Sequence, residues 1–348
     1  MDFTFSEDQL LFQETVADFL RKEHTPERIR RSWEAGSEAD SLWPQFVEMG
    51  LTALTVPEQF GGMGMSVLDF VLLAQEAGYV ALAEPLVHNA VVATPLITAI
   101  GGELAEQVLP SIASGEAKVA VGLSANGLVE QADSATLLIM ERDGKLYALS
   151  PESASLTANP SVDPGRKLFS VEFDAASVNC LADGARAAEL IELAFNHGAL
   201  ANAAQALGLA QRMVDLSVAY TSERKQFGAP IGSFQAVKHH MANVAYQLEY
   251  ARTPVYRAAY SLSTAHPRSA EHVSHAKLVA CEVAELAAKN SIQVHGAMGY
   301  TWEVDLHIFM KRAWALAGSY GSAGLHKGRV AEAMLSDDAI LGAAGTFA

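Results

Sequence analysis

The periodicities along this chain predict an α+β protein in which a helical region, a small β region and a larger helical region follow one another. Three observations carry the prediction. Apolar residues recur at helical spacing to about residue 115, strand-like runs separated by turn residues fill about 116–183, and Ala- and Leu-rich helical sequence returns after Gly184. The 348 residues are 50% hydrophobic and 18% charged, a balance that supports a packed core and argues against disorder. The expected domains are therefore 1–115, 116–183 and 184–348.

The first helix is expected to open at Ser6, which forms a capping box with Gln9, while Phe5 is placed to staple onto Leu10. Phe12, Val16, Phe19 and Leu20 then fall at i, i+4, i+7 and i+8, a single buried stripe. Pro57–Gly64 reads as a turn-rich loop, and Ser66 with Asp69 caps a further apolar helix. Residues 118–124 read as a strand. Ala135–Met140 and Lys145–Leu149 flank Glu141-Arg142-Asp143-Gly144, whose Asp-Gly pair suits a hairpin turn, and Ser170–Phe173 is strand-like again. A long helix is expected over Ala185–Ser222, and a second begins near Ser233, where Pro254 kinks or splits it. His266-Pro267-Arg268 marks a turn before a third helix over Ala270–Gln293.

With 24 basic against 40 acidic residues, the formal charge of -16 repels phosphate backbones, so nucleic acid is not an expected partner, and an anionic CoA ester would need a local positive site. Cys180 and Cys281 are isolated, which fits neither a disulfide scaffold nor a zinc site and points to a reducing cytoplasm. Met1–Phe5 lacks a basic stretch and an apolar signal core, and the apolar run Ala90–Ile100 contains Pro95 and is too short to span a bilayer; a cytoplasmic chain without a membrane span is expected. His272 and His275, and the pair His239-His240, have no carboxylate or cysteine set beside them and read as surface or interface histidines. Lys311, Arg312, Lys327 and Arg329 read as solvated helix charges.

Two segments stand out chemically. Arg224-Lys225-Gln226-Phe227-Gly228 puts a guanidinium near an aromatic ring where a helix breaks at a glycine. Gln293-Val294-His295-Gly296-Ala297-Met298-Gly299-Tyr300 puts a side-chain amide before two glycines that let backbone approach a ligand closely. Together they suit a dinucleotide's pyrophosphate. Taken singly, Arg224 is a cation at a helix end, Phe227 a core aromatic and Gln235 an ordinary glutamine opening a helix.

These segments, with Gly208–Arg212 before the first, Gly299–Glu303 after the second and Pro57–Gly64 far upstream, closely resemble signatures of the acyl-CoA dehydrogenase family. The resemblance covers nearly the whole chain. It implies an N-terminal helical domain, a small middle β domain and a C-terminal helical bundle that holds the ADP half of FAD across a subunit interface. In that reading Arg224 pairs with the FAD pyrophosphate, Gln226 and Phe227 contact the ADP side, Gln235 and Gln293 add polar contacts, and Gly296 permits close backbone approach.

Acyl-CoA dehydrogenation removes an acidic α-proton as hydride leaves the β-carbon, so it requires a positioned base. Most family members use a glutamate before a Gly-Thr or Gly-Ser element; here Ser319-Tyr320-Gly321-Ser322 puts Tyr320 at that position. A tyrosine of pKa about 10 is ionised to roughly one part in a thousand at neutral pH. Other members place the base ten residues before the glycine matching Gly208, which here is Gly198, between His197 and Ala199. Glycine abstracts no proton, and His197 points elsewhere on a helix. Glu303 matches a structural carboxylate. The segment Gly122–Gly127 lacks the Thr-Glu-Pro element that touches the flavin ring in active members, and no Trp-Ile-Thr element follows.

No catalytic residue is therefore assigned. Retained ADP-side segments with a missing base and ring pocket resemble the shorter, non-catalytic chain of heteromeric acyl-CoA dehydrogenases, such as those acting on steroid side-chain CoA esters. The expected function is a subunit of an FAD-dependent enzyme desaturating an acyl-CoA thioester at the α,β-bond. A paralogous partner would supply the base, and an electron-transfer flavoprotein or similar acceptor would take the electrons. Two alternatives stay open: a self-sufficient homomeric dehydrogenase with a different base, and a catalytically silent acyl-CoA-binding or assembly protein.

Overall fold

Serine caps set the first helices. The computed structural model describes residues 4–35, 41–337, 339 and 342, so Met1–Phe3 of the amino terminus lie outside the described residues. The chain opens with α1 (Glu7–Glu23), α2 (Pro26–Ala35), α3 (Trp43–Glu48), α4 (Val67–Tyr79), α5 (Leu86–His88), α6 (Thr94–Ile100) and α7 (Gly102–Ala113). Both capping boxes form: Ser6 and Ser66 accept from the N–H groups of Gln9 and Asp69, whose side chains accept from the caps in return. Val16 and Leu20 are buried, with Phe12 and Phe19 packed against the same core. Phe5 turns instead to Tyr256, its ring edge-on at 5.0 Å, while Leu10 stays exposed. A second ring offers more contact than a solvated leucine. A π-helical turn over Asn89–Ala93 joins α5 to α6 within the apolar run.

The β region contains β1 (Val119–Gly122), β2 (Val129–Glu130), β3 (Leu137–Arg142), β4 (Lys145–Leu149), β5 (Ser155–Asn159), β6 (Leu168–Glu172) and β7 (Asn179–Ala182). They form a four-stranded sheet in the order β1-β3-β4-β7 and a three-stranded sheet β2-β6-β5. The β3–β4 hairpin turns on Asp143 and Gly144, with φ of 51° and 70°, which is why that pair favours the turn. Ala120, Val129, Leu138, Met140, Tyr147 and Phe169 from both sheets share a core of their own.

The remaining elements are α8 (Gly184–Glu223), the short strands β8 (Lys225–Gln226) and β9 (Ala229–Pro230), α9 (Gln235–Ser263), α10 (Ser269–His295), α11 (Leu306–Gly318) and α12 (Ala323–Leu335). Pro254 does not split α9, which runs through it as one helix. Small residues bring α4 and α8 into backbone contact: a Cβ on Gly208 would lie 1.9 Å from Gln75 O, and one on Gly78 would lie 2.1 Å from Gln205 O. One hydrophobic core consequently runs from the first helices into the C-terminal bundle.

Two expectations are corrected. Arg312 is no solvated charge: it is buried, ion-paired with Asp163 from the loop before β6, and donates to Leu82 O at 2.5 Å. Its guanidinium thus ties all three regions together, because a buried cation needs a carboxylate and spare acceptors to offset desolvation. His272 is also buried, with Nδ1 at 2.7 Å from Ser261 Oγ, whereas His239 and His275 are exposed as expected. Among the described residues no helix is long and apolar enough to cross a membrane, and no group of three or more His, Cys, Asp and Glu could hold a metal ion.

Candidate functional site

The first candidate segment lies at the end of α8. Arg224 terminates the 40-residue helix, its N–H bonded to Tyr220 O at 2.9 Å, and its side chain is exposed. Phe227 has φ of 53° and is 95% exposed, so it is no core aromatic. A phenyl ring that is both bared to water and held in the left-handed region is costly for an isolated chain, and such positions mark ligand or partner contacts. Gln226 is exposed, its amide donating only to the adjacent Lys225 O at 2.8 Å, and Gln235 is the exposed first residue of α9.

The second segment meets the first. Tyr220 stacks on His295 with ring centroids 4.3 Å apart, and its hydroxyl donates to His295 O at 3.4 Å. This contact joins the C-terminal ends of α8 and α10, where Gln293 and Gly296, near His295 in the chain, are exposed. Gly296 has φ of 58°, and a Cβ there would meet nothing within 4 Å. An exposed guanidinium, exposed amides and an open glycine turn are chemically suited to an ADP pyrophosphate, and in the reading that the resemblance implies Arg224, Gln226, Phe227, Gln235, Gln293 and Gly296 would hold it. FAD supplies a hydride acceptor when bound.

The base positions come together in a different place. Tyr320 follows α11 with φ of 53°; its N–H donates to Asn126 Oδ1 at 2.6 Å and its carbonyl lies 2.8 Å from His326 Nε2. Its ring lies against Gly198 in the middle of α8, where a Cβ would sit 2.2 Å from Cε1, 2.3 Å from Cδ1 and 2.4 Å from Cζ. Gly198 and Tyr320, the two positions that the resemblance implies for a base, therefore face each other, and one phenol fills the room between them. Tyr320 is 7% exposed, and burial followed by the charge of Glu130 pushes its pKa above the ordinary tyrosine value. It is a worse base in the fold than in water.

Three neighbours of Tyr320 were not singled out in the sequence. His88 of α5 accepts from Val121 N–H at Nε2, 3.2 Å, which leaves the proton on Nδ1, 3.4 Å from the Tyr320 hydroxyl. Burial lowers its pKa to about 4, so it is neutral and has no free lone pair. Glu130 of β2 accepts from Arg166 Nε and Nη2 at 3.1 and 2.9 Å; burial alone would raise its carboxyl, but Arg166 outweighs that and holds it below the usual range. Arg166 also donates to Ser319 Oγ at 2.9 Å and Ala315 O at 3.0 Å. These groups line a cavity of about 260 Å³ between the β region and α11. Its carboxylate is tied to a guanidinium and its phenol is un-ionised, so the donor set there does not fit the proton-abstracting half of a flavin dehydrogenase site. The sequence pointed here only through Ser319–Ser322 and Gly122–Gly127, which supply Tyr320 and Asn126 to this cavity.

His197 faces away, with Nδ1 at 2.8 Å from Val91 O and its pKa lowered to about 4 by burial, and Glu303 is exposed. Neither reaches the Tyr320 hydroxyl.

Known relatives identify the family. The model of the acyl-CoA dehydrogenase N-terminal domain matches residues 6–116, and that of the acyl-CoA dehydrogenase C-terminal domain matches residues 188–335. Acyl-CoA dehydrogenase IpdE2 of Mycobacterium tuberculosis is 32% identical over 309 residues, covering 88% of this chain and 91% of the relative. The chain is a member of the acyl-CoA dehydrogenase family. Family membership places it among FAD oxidoreductases, and solved structures share the fold. The ChsE4-ChsE5 complex of Mycobacterium tuberculosis contains a chain with TM-score 0.82 and 23% identity, covering 97% of this chain and 100% of that one. A variant of the Tcur3481-Tcur3483 steroid acyl-CoA dehydrogenase gives TM-score 0.81 at 21% identity, covering 94% and 97%. The family's N-terminal helical, middle β and C-terminal helical arrangement is thus the fold of this chain.

Proposed function

We propose that this chain is the non-catalytic subunit of a heteromeric, FAD-dependent acyl-CoA dehydrogenase, and that it lends its ADP-side segments to a flavin whose ring and base belong to a paralogous partner. The observation that carries this is that the two positions the resemblance assigns to a base hold Gly198 and Tyr320, with a carboxylate at neither and the Tyr320 ring filling the room between them. Phe227 and Arg224, exposed at one end of the bundle, support the second half, since they suit a pyrophosphate held between subunits. The likeness to chains of the ChsE4-ChsE5 and Tcur3481-Tcur3483 complexes supports a two-chain assembly, and the latter's steroid substrate supports a steroid side-chain CoA thioester. An electron-transfer flavoprotein or similar carrier takes the electrons from the assembled enzyme.

A self-sufficient enzyme would need another base near Tyr320. Glu130 is locked to Arg166, and His88 spends its lone pair on Val121 N–H, so neither supplies one. Co-expression with a longer paralogue, followed by flavin quantification and a flavin-coupled assay, tests the proposal. The expected result is one FAD per pair of chains and no turnover by this chain alone. One FAD per polypeptide, or turnover by the isolated chain, overturns it.

A further inference from the structure

A second cavity, of about 280 Å³, opens between α10, α11 and α12, lined among others by Lys277, Cys281, Glu282, Glu285, Trp314 and His326. Lys277 is 1% exposed, and its Nζ donates to Leu316 O at 2.6 Å and lies 3.3 Å from Cys281 Sγ, one helical turn along α10. A buried lysine is expensive to keep charged, and burial lowers the Lys277 pKa, which favours the free amine. Cys281 is itself 7% exposed, so this amine and this thiol lie within contact of each other at the cavity wall. His326 is 0% exposed; its Nε2 serves Tyr320 O at 2.8 Å, and its Nδ1 has no partner. A buried acceptor left unpaired at a cavity wall asks for a donor from outside the chain.

We propose that Lys277 and Cys281 form a peroxide-responsive modification site in which oxidation of the thiol joins the two side chains through a sulfur–nitrogen bond. Hydrogen peroxide enters the cavity beside Cys281. The thiol proton passes to Lys277, and the Cys281 thiolate attacks one peroxide oxygen: the S–O bond forms, the O–O bond breaks, and the departing hydroxide takes the proton back from the Lys277 ammonium as water. The freed amine then attacks the sulfenic sulfur; the S–N bond forms, the S–O bond breaks, and a second water leaves. Sulfur is oxidised by two electrons and the peroxide is reduced to two waters, with no other reactant. Of the two carboxylates lining the cavity, Glu282 pairs with Lys327 at 3.1 Å and Glu285 acts on Lys277 through its charge.

The test uses the full chain carrying Cys180→Ser, so that Cys281 is its one thiol, exposed to excess hydrogen peroxide and mapped by non-reducing tryptic mass spectrometry. The expected result is a peptide spanning Lys277 and Cys281 that has lost two hydrogens, resists trypsin at Lys277 and is restored by dithiothreitol. An unreacted Cys281, or added oxygen on Cys281 with cleavage at Lys277 retained, overturns the proposal. Lys277→Arg keeps the cation but cannot cross-link in this way; with its fold checked by circular dichroism, it should accumulate oxygen on Cys281 with no hydrogen-loss product. The hydrogen-loss product persisting in that variant would overturn the assignment of Lys277.

Discussion

Gly198→Ala sets two effects against each other at one atom. Within the interior of α8, alanine favours helix over glycine by about 1 kcal/mol. The added Cβ would, however, lie 2.2 to 2.4 Å from three ring carbons of Tyr320, whose backbone is pinned by Asn126 and His326 and whose ring is buried. Forcing that ring aside costs about 1–3 kcal/mol, the usual scale of overpacking. Gly198→Ala alone should therefore be neutral to destabilising by up to about 2 kcal/mol. With Tyr320→Ala in place the clash is gone, and the same change should stabilise by up to about 1 kcal/mol. Urea unfolding of the four proteins of this cycle should give a coupling of about 1–3 kcal/mol. Effects that add to within about 0.5 kcal/mol would refute the packing of Tyr320 on Gly198, and with it the claim that the phenol closes the space between those two positions.

Tyr320→Phe in the assembled enzyme should change turnover less than tenfold, under about 1.4 kcal/mol in barrier, and a larger loss at full flavin occupancy would make the phenol catalytic. Arg224→Ala should weaken FAD binding to the complex by about 1.5–3 kcal/mol while leaving the fold intact, as read by flavin release; unchanged affinity would remove Arg224 from the site. His24 and His197 are both buried, and burial lowers each pKa from 6.5 to about 4. Between those values the unfolded chain binds more protons than the folded one, so stability is full above pH about 6.5 and falls as the pH drops toward about 4. A urea midpoint that stays constant over that window would show that the two rings carry their protons inside the fold.

Features whose physics is local were legible in residue order. Ser6 with Gln9 and Ser66 with Asp69 cap their helices because donor and acceptor lie three residues apart, and the Asp143-Gly144 turn needs only its own backbone freedom. The Arg224 and Gln293 segments could be proposed for the same reason, since each is a contiguous run of residues. Pro254 shows the limit: its ring disfavours a helix interior locally, yet packing carries α9 through it.

Arg312 looked like any helix cation, and nothing near it in sequence announced Asp163 or Leu82 O. His88, Glu130 and Arg166 escaped notice because each acquires its role from partners far along the chain: Tyr320 for the first, and Ser319 and Ala315 for the last. Residue order could state that Tyr320 and Gly198 lack a carboxylate, but not that they touch. Whether a base could still reach the site is a question of distance, burial and who already holds each lone pair. Those quantities exist only once helices α5, α8 and α11 and strand β2 have packed, since desolvation and hydrogen-bond pairing depend on neighbours that the linear chain keeps apart.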